Sequence, residues 1–113
     1  MTESEFLALA DATLNAIEAA LDRLNEQDMV DVECSRSGNV LEIEFIDNGS
    51  KVIVNSQAAM QEMWVAARSG GFHYRHVDGQ WLNTRDGSEL FAVLSEITTA
   101  QGGAPVVLTP NPQ

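Results

Sequence analysis

The stretch Val40-Leu41-Glu42-Ile43-Glu44-Phe45-Ile46-Asp47-Asn48-Gly49-Ser50-Lys51-Val52-Ile53-Val54-Asn55 decides the fold. From Val40 to Phe45 the residues alternate, Leu41, Ile43 and Phe45 facing one way and Glu42 and Glu44 the other. That is the period of a strand with one covered face. Asp47-Asn48-Gly49-Ser50 is the strongest hairpin signal in the chain, because Asn-Gly accepts the positive φ that a tight antiparallel reversal demands. Lys51 to Asn55 answers it as a returning strand. An antiparallel sheet therefore starts from this hairpin.

Working outward, Ser37-Gly38-Asn39 is a turn, and Val30 to Cys34 alternates as an earlier strand. In it Val30, Val32 and Cys34 share one face, and Asp31 and Glu33 the other. Downstream, Gln57 to Arg68 fits two periods. Met60, Met63, Trp64 and Ala67 have helical spacing, while Met63, Val65 and Ala67 fit one face of a strand; the neighbouring hairpin elements favour the strand. Ser69-Gly70-Gly71 breaks the chain, Phe72 to Val77 resumes it, and Asp78-Gly79 turns into Trp81-Leu82-Asn83. Two helices flank these strands. Thr2 and Glu5 have capping-box spacing, and the periodic pattern then lasts to about Leu24. Asp86-Gly87-Ser88-Glu89 opens the second helix, with Leu90, Leu94 and Ile97 as its stripe, and Gly102-Gly103 ends it. The order helix, strands, helix predicts an α+β sandwich with both helices on one sheet face and water on the other. Residues 1–103 read as one domain and 104–113 as an extended tail holding Pro105, Pro110 and Pro112, in which Val106 to Leu108 can pack on the body.

At 113 residues the chain is long enough for one core. Its net charge of -11 is lopsided: residues 1–33 hold nine acids and one base. A field of that sign repels DNA and RNA and attracts basic proteins and cations. Cys34 is the only cysteine, which excludes an intrachain disulfide and a thiolate-built zinc site. In phase with the two valines, it reads as a small buried hydrophobe. The opening Met1-Thr2-Glu3-Ser4-Glu5-Phe6 has neither a basic n-region nor the Arg of a transit peptide. No apolar run approaches the roughly 20 residues of a membrane span. The expectation is a cytoplasmic protein that binds neither nucleic acid nor membrane.

The acids have a pattern. At about 100° per residue, Asp11, Glu18 and Asp22 fall within about 40° of one another, and Asn15 and Glu26 extend the stripe. Phe6, Ala10, Ile17, Leu21 and Leu24 gather on a different face, which must be buried. Asp28, Asp31 and Glu33 carry the ridge onto the edge of the sheet. A carboxylate-bearing helix face is ordinarily just a solvated one. Here, however, Arg23 is the only base in the first 33 residues, and clustered like charges cost stability. Oxygen ligands of this kind select hard cations. An exposed ridge would hold them weakly, at several places and with little selectivity.

Other chemistry is sparse. There is no phosphate-cradling glycine loop, nucleophile elbow or His-Glu-x-x-His motif, and Asp47-Asn48-Gly49 lacks the ligand register of a calcium loop. His73 and His76, three apart on one strand, point to opposite faces. If Met63, Val65 and Ala67 pack under the helices, Trp64 lies on the open sheet face near Asn55 and Gln57, as an interface anchor would. Periodicity alone fits a core position for Trp64 equally well.

In order along the chain, Asn55-Ser56-Gln57, Met63-Trp64-Val65-Ala66, Gly70-Gly71-Phe72-His73-Tyr74, Trp81 and Arg85-Asp86-Gly87 resemble the frataxin family. The opening Ser4-Glu5-Phe6 with Leu9-Ala10-Asp11 is similar to its bacterial, CyaY-type members. The resemblance covers about residues 3 to 100. It implies an α-β-α sandwich and an iron-binding protein of iron–sulfur cluster assembly, with a cysteine desulfurase and its scaffold protein as partners. Carried onto this chain, it implies weak, reversible Fe2+ or Fe3+ binding at Asp11, Glu18, Asp22, Asp31 and Glu33, with Glu26 and Asp28 beside them; other hard divalent cations can substitute. Glu18, Asp22, Asn55, Gln57 and Trp64 would form the partner surface of a protein that is monomeric without metal. Ala19, Arg23 and Met29 stand where acids are common in the family. The competing reading is a metal-independent acidic module that regulates a basic partner enzyme. No enzymatic activity is expected: a ferroxidase needs carboxylates converging with His, and the ridge is linear and open.

Overall fold

The computed structural model of the chain describes residues 1–110; the Pro112 end of the predicted tail lies outside them. The elements are α1 (Glu3–Glu26), β1 (Val32–Ser37), β2 (Val40–Phe45), β3 (Lys51–Gln57), β4 (Glu62–Ala67), β5 (Gly70–Val77), β6 (Gln80–Asn83) and α2 (Leu90–Gly102). All six strands join one sheet in chain order, each antiparallel to the next. The α+β sandwich expected from the sequence is the observed one, with two helices over one face of an antiparallel sheet.

The predicted capping box forms. The Thr2 hydroxyl accepts from the Glu5 N–H at 3.1 Å, and the Glu5 carboxylate accepts from the Thr2 N–H at 2.9 Å. The buried stripe of α1 contains Phe6, Ala10, Ile17 and Leu21 as read from the periodicity, and adds Thr13, Leu14 and Ala20; Leu24 is only partly buried. Leu41, Ile43, Phe45, Val52, Val54, Met63, Val65 and Tyr74 meet that stripe from the sheet. Thr13 is polar but satisfied: its hydroxyl accepts from Trp81 Nε1 at 2.9 Å and donates to the Leu9 carbonyl at 2.8 Å. This tether fixes α1 to β6, and Phe6 meets Trp81 edge-on at 6.0 Å.

The first strand differs from its predicted bounds, starting at Val32 and not at Val30. The reason is Asn25. The helix runs on to Glu26, and the Asn25 amide donates to the Val32 carbonyl at 2.8 Å and accepts from its N–H at 2.9 Å. Asn25 thus supplies the ladder contacts that a neighbouring strand would. Residues 27–31 are consumed in the reversal, with Asp28 at φ 56°. The two-period segment resolves as a turn at 58–61 followed by β4, so the strand reading holds from Glu62 onward, with Met63 and Val65 on the core face. The second helix begins at Leu90, the Glu89 carboxylate capping Phe91 and Ala92 at 2.8 and 3.1 Å, and the predicted stop is Gly103 at φ 80°. Val106 and Leu108 are buried, held to α2 through Thr99 and Ser95.

Asn25→Ala removes both partners of the Val32 backbone at a half-buried position. The expected loss is about 1–3 kcal/mol in urea unfolding, with amide shifts confined to residues 25–34. A loss indistinguishable from zero would mean that water replaces the clamp at no cost.

Candidate functional site

Two surfaces carry the residues singled out above, and they meet at β1, an edge strand of the sheet. Along this strand Val32, Cys34 and Arg36 face α1, while Glu33, Ser35 and Ser37 face the open side. Helix α1 lies antiparallel above it. Asp11 and Asn15 reach Arg36, Glu18 and Asp22 stand near enough for their charges to act on the Cys34 thiol, and Asn25 meets Val32.

Asp11 is not a free carboxylate. The Arg36 guanidinium donates to it, to Asn15 Oδ1 at 2.7 Å and to the Gly38 carbonyl at 2.7 Å. Three anchors on a largely buried arginine compensate the amino-terminal end of the ridge. Glu18 is half-buried, and Asp22, Glu26, Asp28, Asp31 and Glu33 are exposed. Among the described residues none of these six has a Lys, Arg or His within ion-pair distance.

The structure gathers these acids less tightly than the helical wheel implies. Glu18 and Asp22 act by charge on Cys34. Asp28 and Asp31 line a groove of about 530 Å³ below the end of α1, together with Asp47 from the β2–β3 turn. Glu33 points to the other side of the sheet, directly opposite Glu44, whose own cross-strand neighbour is Lys51. The ridge wraps around an edge instead of lining one face. Among the described residues no three His, Cys, Asp or Glu side chains converge closely enough to hold a metal ion. The arrangement offers separate outward carboxylates and a strong summed field, not a chelate. Asp47 and Glu44 extend that field, whereas Glu42 is paired with Lys51 Nζ at 3.4 Å; none was singled out from sequence, though the alternation of Glu42 and Glu44 was the available signal.

The open sheet face reads as a grid. One row is Ser37, Val40, Asn55, Trp64 and His73; the next is Gln57, Glu62, Arg75 and Leu82. Trp64 is on this face and not in the core, and Asn55 and Gln57 share the face with it. The Trp64 indole stacks on His73, centroids 4.3 Å apart and planes 7° from parallel. His76 lies on the opposite face, edge-on to Trp81 at 5.1 Å, so the two histidines form no joint site.

Sequence reasoning missed Glu62, which is only 3% exposed although it stands on the open face. Its carboxylate accepts from Trp64 Nε1 at 2.9 Å and Arg75 Nε at 3.0 Å, and His73 Nδ1 lies 3.5 Å away. Burial pushes its pKa up, but the bonds from Trp64 and Arg75 and the nearby charges outweigh that and leave it below the ordinary value. The period-two placement of Glu62 beside Trp64, and of Arg75 beside His73, was legible; the burial was not.

The comparisons with known proteins agree with one another. The family model for the frataxin-like domain matches residues 1–104. The iron–sulfur cluster assembly protein CyaY of Janthinobacterium sp. (strain Marseille) is 69% identical over 96% of either chain. Its counterpart in Herminiimonas arsenicoxydans is 66% identical, with the same coverage. Among solved structures, frataxin from Psychromonas ingrahamii superposes with a TM-score of 0.87 at 32% identity, covering 96% of this chain and 99% of that one. Trimeric frataxin from the yeast Saccharomyces cerevisiae, complexed with ferrous iron, gives 0.67 at 28% identity, over 83% and 85%.

Cys34 is half-buried rather than buried as the alternation predicts. Burial first, then the Asp22 and Glu18 carboxylates, push its thiol up to about 12. Only the thiolate is nucleophilic, and a raised pKa leaves little of it near neutrality. Alkylation by iodoacetamide at pH 8 should therefore run roughly a hundredfold or more below a free cysteine and rise with pH throughout the range in which the fold survives. A rate matching free cysteine would mean that the thiol is not shielded by α1.

Proposed function

Since this chain belongs to the frataxin-like family, whose bacterial relatives above are iron–sulfur cluster assembly proteins, we propose that it is a cytoplasmic, non-enzymatic modulator of cluster biosynthesis. It binds iron as cargo on the acidic edge and docks on the cysteine desulfurase and its scaffold. One observation carries this reading: the carboxylates of Glu18, Asp22, Glu26, Asp28, Asp31 and Glu33 have no internal counter-ion among the described residues. Clustered, unpaired charge of one sign steers a partner of the other. The ferrous complex of the yeast relative supports iron as the cation, and oxygen-only donors suit iron in either oxidation state. The scatter of the ligands makes the binding weak and reversible, and leaves room for other hard divalent cations.

In this reading each residue has a part. Glu18 and Asp22 serve both cargo and partner, because they crown the edge. Asp11 contributes less than its wheel position implies, since Arg36 already occupies it. Asn55, Gln57 and Trp64 meet the partner on the open face, and the protein is a monomer until metal is present. A second reading, a metal-independent acidic module regulating a basic enzyme, is favoured by the absence of any convergent triad among the described residues.

The double variant Glu18→Lys, Asp22→Lys should weaken desulfurase binding by roughly tenfold or more, and wild-type affinity should fall with added salt. Titrating iron(II) under anaerobic conditions should broaden amide resonances within residues 18–33, with less effect at Asp11. Salt-insensitive binding that survives the charge reversal would end the electrostatic reading. No broadening at millimolar iron, with salt-sensitive docking intact, would select the metal-independent module.

A further inference from the structure

We propose that Glu62 is the positioning residue of the sheet-face docking patch, its carboxylate holding Trp64 and His73 as one preorganised aromatic unit. This rests on the reading above, that the face of Asn55, Gln57 and Trp64 meets the partner. A carboxylate is almost never fully buried unless its oxygens are satisfied. Glu62 is buried on a face that carries no second layer of protein, by the very side chains that it bonds. Oε1 accepts from Trp64 Nε1 at 2.9 Å and Oε2 from Arg75 Nε at 3.0 Å, while His73 Nδ1 stands 3.5 Å from Oε1. The three groups are surface side chains of β4 and β5, and the core needs none of these contacts.

The geometry fixes the indole in two independent ways. The Glu62 bond pins its N–H edge, and His73, directly across the β4–β5 ladder, stacks on one ring face. Arg75, directly opposite Glu62, balances the buried charge, so the latch stays closed without adding net charge to the patch. What the partner meets is a ring already held in place. Freezing exposed side chains only at the moment of docking would weaken binding, and a pre-set aromatic avoids that loss.

The test uses the full chain with desulfurase as the probe, comparing Glu62→Ala, Glu62→Gln and Trp64→Ala. Two-dimensional 15N spectra follow the indole N–H signals of Trp64 and Trp81. Glutamine keeps an oxygen acceptor for the Trp64 N–H; alanine does not. Glu62→Ala should shift and broaden the Trp64 indole signal, leave that of Trp81 in place, and weaken docking roughly tenfold. Glu62→Gln should retain the Trp64 signal and most of the affinity. Urea unfolding confirms that each variant is folded under binding conditions, and the undisturbed Trp81 signal reports an intact core. Unchanged docking by Glu62→Ala, with docking lost in Trp64→Ala, would overturn the role of Glu62 and spare the docking face. Equal losses in both Glu62 variants with the Trp64 signal unmoved would assign Glu62 a charge role and overturn positioning. Unchanged docking by Trp64→Ala would remove the face itself, and this proposal with it.

Discussion

The packing of one apolar stripe of α1 onto the sheet is the constraint from which the functional surface follows. With Phe6, Leu14, Ile17 and Leu21 buried, the helix cannot rotate, and its flank must overhang β1. Asp11, Glu18 and Asp22 are then held beside an edge strand, Asp11 paired with Arg36 and the other two without a counter-ion among the described residues. The Thr13–Trp81 bond and the Asn25 clamp on Val32 secure the arrangement across the sheet. Charge that a mobile segment would spread out is instead kept concentrated by the core.

What the concentration achieves depends on distance. A chelate needs donors that converge, and these carboxylates diverge: Glu18 and Asp22 stand near Cys34, Glu33 lies beneath the strand, and Asp28 and Asp31 lie around the corner. A field sums over all of them regardless of direction. The surface is therefore better built for attraction than for coordination, and Arg36 sharpens the asymmetry by taking Asp11 out of play. On the adjoining sheet face the logic reverses, because Glu62 is neutralised where it stands and serves to order its neighbours.

Most of the fold was legible because its signals are local. The Asp47-Asn48-Gly49-Ser50 turn, the alternation before it, the Thr2–Glu5 box and the Gly102-Gly103 stop each depend on neighbours in sequence. The start of β1 was not legible, since it is set by a side chain seven residues earlier that replaces a strand partner. The same holds for the site. Periodicity located Asp11, Glu18 and Asp22 on one stripe, but pairing with Arg36 is a contact across 25 residues that no spacing rule encodes. Trp64 was ambiguous because a half-buried aromatic fits either face; its register opposite Asn55 and His73 resolves it. Glu62 shows the limit most plainly, as its burial comes from surface side chains and not from the core.

The strand order bears on how the molecule comes into being. Every strand pairs with its chain neighbour, so the ladder closes through short, fast reversals. The bond that seats α1, by contrast, joins residues 68 apart. On a ribosome the acidic helix is made before any strand of the sheet, yet its anchor on β6 can form only after all six strands have followed it. Until then its oily side has no complete bed to lie on, and its nine-acid neighbourhood keeps the nascent segment hydrated and apart from its like.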